Sequence, residues 1–445
     1  MKWIALIDAT HHTHQAPPGR VVAGLTLLER AVRLAATSDC SHAVVAAKPE
    51  FLDEVEAICA DIDFDIELLV RACEADDLGS LVVELSDTLG PLIEASEGLL
   101  YVRSSTVYDR GMVGACDPPD THRAAVTVPD LPRSGVQGRD ALAPVFKCSR
   151  DNWERLLEVC RDDAPADVAE LAVDADAARC ESDGWQVRVE DDASADEAAE
   201  KLWNSCRKSV DGVVSRYLNR HISLAISRKI AATGIKPNHI SVVTFSLGAI
   251  AAIFAGIGGY MWFVLAGLAY QLNSIVDGVD GELARVKYEF SLLGEWLDTL
   301  SDDTKDVLFY GGLGIGAWRT WEFPIEGLGP DTWLWLGAVA VVGKLVSMVA
   351  YYTWLIAHKR GDLLAFEWSF EDEDNEPSAL SSAMANLKYL TKNDFICFAA
   401  MWMAFLGALP YFLFVVAPGQ FFIATSVLIQ RVQRKRAQRA AASDA

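Results

Sequence analysis

The sequence predicts two domains of different class. Residues 1–200 read as an α/β domain with a mostly parallel sheet, and residues 238–445 as an all-α membrane domain of six transmembrane helices. A linker with an amphipathic juxtamembrane helix, 201–237, joins them. Three observations carry this reading. The formal net charge of −23 falls wholly in the first 200 residues, leaving a balanced and very apolar remainder. The front half alternates short apolar runs with helical patterns, as a sheet built from crossover units does. From residue 239 onward, apolar stretches recur at about the 20 residues needed to cross hydrocarbon. So acidic a front half argues against nucleic-acid binding, which needs a basic surface.

The first element is "WIALIDA", a buried strand whose apolar run stops at Asp8, too short for a signal peptide. Helix "LTLLERAVRLAAT", strand "HAVVAA", helix "FLDEVEAICADI", strand "DIELLV", helix "LGSLVVELSDTL" and strand "GLLYV" follow. Right-handed crossovers between such strands give a parallel sheet. The stretch 117–140 carries four prolines and reads as an excursion loop. "GWQVRVED" is a further strand, and "SADEAAEKLWNSCRK" a helix leading out. The nine cysteines are scattered with no CxxC, the usage of a reduced compartment.

The juxtamembrane text "VDGVVSRYLNRHISLAISRKIAATGIKPNHIS" sets Arg216, Arg220, Arg228, Lys229 and Lys236 among apolar residues, as a helix lying in the membrane interface does. Pro237 and Asn238 turn the chain into the first span. The spans are expected at 239–257, 260–280, 293–317, 332–356, 395–416 and 418–433. With the N-terminus inside, Lys359, Arg360, Lys388, Lys392 and the tail "RVQRKRAQR" all fall inside, satisfying the positive-inside rule. The inner loop 360–394, with its run "EDEDNE", reads as a solvated linker.

The second span ends in "IVDGVDGELARV", which puts Asp277 and Asp280 where lipid should be. An intramembrane acid is costly and points to function. The two aspartates are three apart and share a helix face, bordered by Gly281 and Ala284. Gly294, Asp298 and Asp302 repeat at a spacing of four on the next helix. Four carboxylates converging in low dielectric call for cations between them, and hard oxygen ligands suit two Mg²⁺ or Mn²⁺ ions. Such a pair clamps a phosphoryl group, and Arg285 adds a fixed cation for phosphate. The competing reading is a set of acids lining a water-filled path in a transporter. Asp303 and Asp306 lie nearby, where Lys305 could pair with them in a structural role.

The pattern D277-x2-D280-G281-x2-A284-R285-x8-G294-x3-D298-x3-D302 resembles the signature of the CDP-alcohol phosphotransferases at every position. The resemblance implies a six-helix membrane enzyme, a homodimer, that transfers a phospho-alcohol from a CDP-alcohol to an acceptor hydroxyl and releases CMP. It implies that Asp277, Asp280 and Asp298 hold two metals. Asp302 would be the base and a metal neighbour, and Gly281, Ala284, Arg285 and Gly294 would lie against the CDP. The juxtamembrane text and "LTKNDFICF" look like the branch fused to a nucleotidyltransferase-like domain, which includes bifunctional inositol-phosphate cytidylyltransferase / di-myo-inositol-phosphate-phosphate synthases. The donor is then CDP-inositol or CDP-diacylglycerol, and the acceptor an alcohol or a polyol phosphate. Arg228, Lys229, Lys236 and Lys392 are candidates for an acceptor phosphate. The protein is expected in the inner membrane, with front domain and site facing the cytoplasm.

"VVAGLTLLERAVRLAATSDCSHAVVAA" resembles the nucleotidyltransferase fold, yet its chemistry residues do not follow. "DATHHTHQAPPGR" replaces a glycine-rich basic loop, "RSSTVYD" replaces an acid after "GLLYV", and Arg188 stands where a second acid is expected. The front domain is therefore expected to be Rossmann-like in fold, but regulatory or structural; an active cytidylyltransferase is the alternative. His11, His12 and His14 form a polar loop or, alternatively, bind a metal.

Overall fold

The computed structural model describes residues 2–116, 124–129, 145–162, 165, 168, 171, 178–182, 184–208, 211–290, 292–357 and 392–443. The expected proline-rich loop and the "EDEDNE" run lie almost wholly outside these residues. The chain divides into two compact units, one of residues 1–206 with 231–233 and 286–288, the other of 207–230, 234–285 and 289–445.

In the first unit β1 (Trp3–Ala9), α1 (Leu27–Ala36), β2 (Cys40–Ala47), α2 (Leu52–Asp61) and β3 (Glu67–Ala72) alternate. They are followed by α3 (Leu78–Glu84), α4 (Ser86–Glu94), β4 (Gly98–Arg103), β5 (Thr106–Tyr108) and α5 (Arg110–Ala115). Next come β6 (Ala124–Pro129), β7 (Val145–Ser149), α6 (Trp153–Asp162), β8 (Ala178–Ser182), β9 (Gln186–Arg188) and α7 (Asp192–Ser205). Seven strands form one sheet in the order β8-β6-β7-β4-β1-β2-β3. β1, β2, β3 and β4 are parallel; β1 and β4, in the middle of the sheet, show the buried apolar runs of strands covered on both faces, while β3 is the more exposed edge. The departure is β7, which runs antiparallel between β4 and β6. "GWQVRVED" does form a strand, β9, but in a separate ribbon with β5. Leu6, Val44, Tyr101, Phe146 and Trp153 fill the core beneath the sheet.

The histidine loop closes on itself. Asp8, at the end of β1, accepts from the Tyr101 hydroxyl at 2.6 Å and from Thr10, and lies 3.3 Å from His11 Nε2. Burial opposes its charge, but His11, Arg103 and Tyr101 together hold the carboxyl below the usual range. His12 Nδ1 meets the Ala16 carbonyl and Nε2 the Ser104 hydroxyl, each at 2.8 Å. His14 packs on the Phe51 ring. The three imidazoles thus share no common partner, and no metal group among the described residues includes them.

Burial pushes His12 down from 6.5 to about 4. The unfolded chain therefore takes up a proton first. His12 withdraws no stability above pH 6.5 and progressively more as pH falls toward 4. The loss is about 2 kcal/mol at pH 5. Hydrogen exchange of the β1 and β4 amides in the full-length protein, corrected for intrinsic rate, reads this directly. A His12→Gln protein should lose the pH dependence between 7 and 5.

The second unit holds a helix from residue 213 with a π-turn at Ser215–Asn219 that continues as α8 (Arg220–Ile230). The apolar helices follow: α9 (Pro237–Ile257), α10 (Tyr260–Lys287), α11 (Leu292–Thr320), α12 (Asp331–Ala357), α13 (Asn393–Phe405) and α14 (Leu413–Ser443). Among the described residues, three segments are long and apolar enough to cross a membrane: Pro237–Ile257, Asp331–Ala357 and Leu409–Ile429. α10 and α11 are long but carry the acids. α13 stops at Phe405, short of the expected 416, because Gly407 takes φ +69° and Leu409–Phe412 forms a 3₁₀ turn.

Glycines set the place of α11. A Cβ on Gly312 or Gly316 would run into the carbonyls of Ala252 and Ala255 on α9, so only glycine permits this approach. On its other side α11 carries Asp303 and Asp306, which pair with Lys344 of α12 at 2.8 and 2.9 Å. Tyr352 and Tyr351 donate to Asp303, and Tyr270 to Asp306. Lys305, the partner expected from the sequence, pairs with Asp302 instead. Removing the cation strands two buried acids, so Lys344→Met should cost about 3–5 kcal/mol in thermal unfolding in detergent. In an Asp303→Asn/Asp306→Asn background the same change should cost far less.

Candidate active site

Helical periodicity places Asp277 and Asp280 on one side of α10, and Asp298 on α11 faces them. One carboxylate oxygen from each lies within 4.8 Å of the other two. Ser241 of α9 donates to Asp280 Oδ2 at 2.9 Å and fixes its rotamer. The carboxylate-only donor set, held this close, fits a hard divalent cation such as Mg²⁺ or Mn²⁺.

Asp302 neighbours that trio but falls outside the mutual 4.8 Å group. The ammonium of Lys305, fully buried, grips Oδ1, and the Asn393 amide lies 3.5 Å from Oδ2. The geometry therefore brings together three of the four expected acids and ties the fourth to a cation. Gly281 borders Arg285: a Cβ there would lie 3.6 Å from Nη2. The Arg285 Nε is buried and finds no hydrogen-bond acceptor among the described residues, which suits an anion. Ala284 and Gly294 are half-buried on α10 and α11. Of the cations considered for an acceptor, Arg228 and Lys229 are exposed at the end of α8, and Lys236 is exposed before α9. Lys392 is half-buried before α13.

Sequence reasoning missed Glu282. It sits inside the acidic motif, fully buried, with Arg220, Ser223 and Ser227 around it. Burial works against the charge of Arg220, but Asp211 and Glu282 hold the guanidinium above its usual range. The available signal is the spacing of Arg220, Ser223 and Ser227, which puts three polar groups on one face of an otherwise amphipathic helix.

Residues 235–428 match the CDP-alcohol phosphatidyltransferase family. The C-terminal part of the chain is a CDP-alcohol phosphatidyltransferase domain. All of the acidic motif lies inside the matched residues. The chain is similar to a bifunctional IPC transferase and DIPP synthase of Thermococcus kodakarensis, 39% identical over 143 residues, 32% of this chain and 29% of that protein. It is similar also to one of Aquifex aeolicus, 32% identical over 180 residues, 40% of this chain and 41% of that protein. The chain thus matches less than half the length of these curated relatives. Among solved structures, an inositol-1-phosphate CTP transferase from T. maritima matches with a TM-score of 0.34 at 10% identity, over 45% of this chain and 96% of that one. The CDP-alcohol phosphatidyltransferase domain gives the aspartate trio its chemical context, since this family generally uses divalent metals.

Proposed function

We propose that this protein transfers a phospho-alcohol group from a CDP-alcohol to an acceptor hydroxyl and releases CMP, at the inner face of a membrane. The observation that carries the reading is the convergence of Asp277, Asp280 and Asp298 inside the matched transferase domain. The three would hold one or both of two Mg²⁺ or Mn²⁺ ions. Bound there, the metal would neutralise the donor diphosphate and polarise the phosphoryl group under attack.

The chain's own residues divide the remaining work. Arg285, with Gly281, Ala284 and Gly294 leaving room beside it, binds the diphosphate of the donor. Lys305 holds Asp302 through Oδ1, and Oδ2, which has only the long contact from the Asn393 amide, takes the acceptor's proton. The acceptor oxygen bonds to the phosphorus that carries the alcohol. The bond from that phosphorus to the bridging oxygen breaks, and CMP leaves with the electron pair. Arg228, Lys229, Lys236 and Lys392 are the cations on hand for an acceptor that carries phosphate.

Six spans, a homodimer and a cytoplasmic front domain complete the reading. The donor is a CDP-polyol such as CDP-inositol, or CDP-diacylglycerol. The front domain is regulatory or structural, a role supported by Asp8 being sealed among Tyr101, Thr10 and His11. The experiment supplies purified full-length protein and Mg²⁺ with either radiolabelled donor and candidate acceptors, and follows CMP. Given CTP and inositol phosphate instead, the same protein should release no pyrophosphate above background.

A further inference from the structure

The helix that carries Asp277 and Asp280 has a second engaged side. Gln271, Ser274, Gly278 and Glu282 recur on α10 at the three- and four-residue spacing of one face. Each meets the juxtamembrane helix. Gln271 Nε2 donates to Asn219 Oδ1 at 2.9 Å, and Asn219 Nδ2 donates to Ser274 Oγ at 3.2 Å. Gly278 leaves room for Arg220, whose Nη1 would lie 3.3 Å from a Cβ placed there. Glu282, 0% exposed, accepts at Oε1 from Ser223 at 2.6 Å and Arg220 at 2.9 Å, and at Oε2 from Ser227 at 2.6 Å. The far edge of Arg220 grips Asp211 through two further bonds of 2.9 and 3.0 Å. The start of the same segment is pinned as well, the Ser215 amide donating to Asp394 Oδ2 at 2.6 Å.

At about 100° per residue, Asp280 points away from this face by roughly half a turn. Rotation of α10 about its axis therefore moves the metal-facing carboxylates and Glu282 together. Apolar packing alone would tolerate a few degrees of rotation or a slide. A buried carboxylate with directed donors from three residues does not, and setting register is the best-attested use of a buried charge. We propose that Glu282 is a positioning residue: anchored by Arg220, Ser223 and Ser227, it fixes the rotation of α10 that aims Asp277 and Asp280 at Asp298. The inference rests on the metal-dependent transferase reading, but it concerns the shape of the cation site rather than the reaction.

The test measures Mn²⁺ affinity of the full-length protein in detergent by electron paramagnetic resonance, without nucleotide, for wild type, Asp298→Asn and Glu282→Gln. Folding is checked by size exclusion and melting temperature. Glu282→Gln should raise the Mn²⁺ Kd about 10–100-fold in folded protein, as loss of outer support for metal ligands does. Turnover at saturating Mn²⁺ should recover most of its wild-type value, a split that a merely structural role does not produce. A Kd within two-fold of wild type in folded Glu282→Gln protein overturns the proposal. If that variant does not fold, Ser227→Ala decides, because it removes one donor and no charge. Its Kd should rise about five-fold, and an unchanged value overturns the proposal. Wild type that binds Mn²⁺ through Asp298 yet releases no CMP defeats the transferase reading and leaves this one standing. Wild type with no Asp298-dependent Mn²⁺ binding defeats both.

Discussion

Asp302→Asn should lower the turnover for CMP release by about 10²–10⁴-fold, the contribution of a positioned general base. The amide is nearly the same size and leaves the carboxylate trio of Asp277, Asp280 and Asp298 intact, so metal affinity and the KM for the CDP-alcohol should change little. This split follows from the geometry: Asp302 is held by Lys305 and stands outside the three-oxygen cluster. Steady-state CMP release with varied donor, alongside Mn²⁺ binding, checks it. If Mn²⁺ affinity falls as far as turnover does, Asp302 serves as a ligand rather than as the base.

Asp298→Asn should have the opposite signature. It turns one of the three clustered carboxylates, the one contributed by α11, into a neutral amide whose single oxygen is a far weaker ligand for a divalent cation. Metal affinity and CMP release should fall together. The loss in kcat/KM should be on the order of 10³-fold, equivalent to the several kcal/mol that metal charge stabilisation supplies. Raising Mn²⁺ should restore part of the rate in this variant and none in Asp302→Asn. Rate and binding measured over a Mn²⁺ series distinguish the two variants.

The features legible in the sequence are those that depend on neighbours along the chain. The parallel strands around β1 were legible because residues covered on both faces leave an unbroken apolar run. The site helices were legible because Asp277 and Asp280, or Asp298 and Asp302, are three or four residues apart. What was not legible depends on partners distant in sequence. Nothing near Asp303 and Asp306 announces Lys344, 38 residues past Asp306, while Lys305 stands beside them and serves Asp302. The antiparallel strand β7 is equally silent, since a short apolar run does not reveal its direction. Glu282 occupies an unspecified position of the motif, and its role appears only when Arg220 and the two serines are set against it. The span expected at 395–416 outruns the helix, which ends at Phe405, because hydropathy continues through Gly407, where the backbone turns.

The most direct measurement is CMP release by the purified full-length protein from radiolabelled CDP-inositol or CDP-diacylglycerol with Mg²⁺ and candidate acceptors. The proposed function predicts CMP and a labelled phosphodiester in equal amounts with one donor, both lost on chelation or with Asp298→Asn. Folded protein that binds Mn²⁺ but yields no CMP from either donor, with any alcohol or polyol-phosphate acceptor, would contradict it.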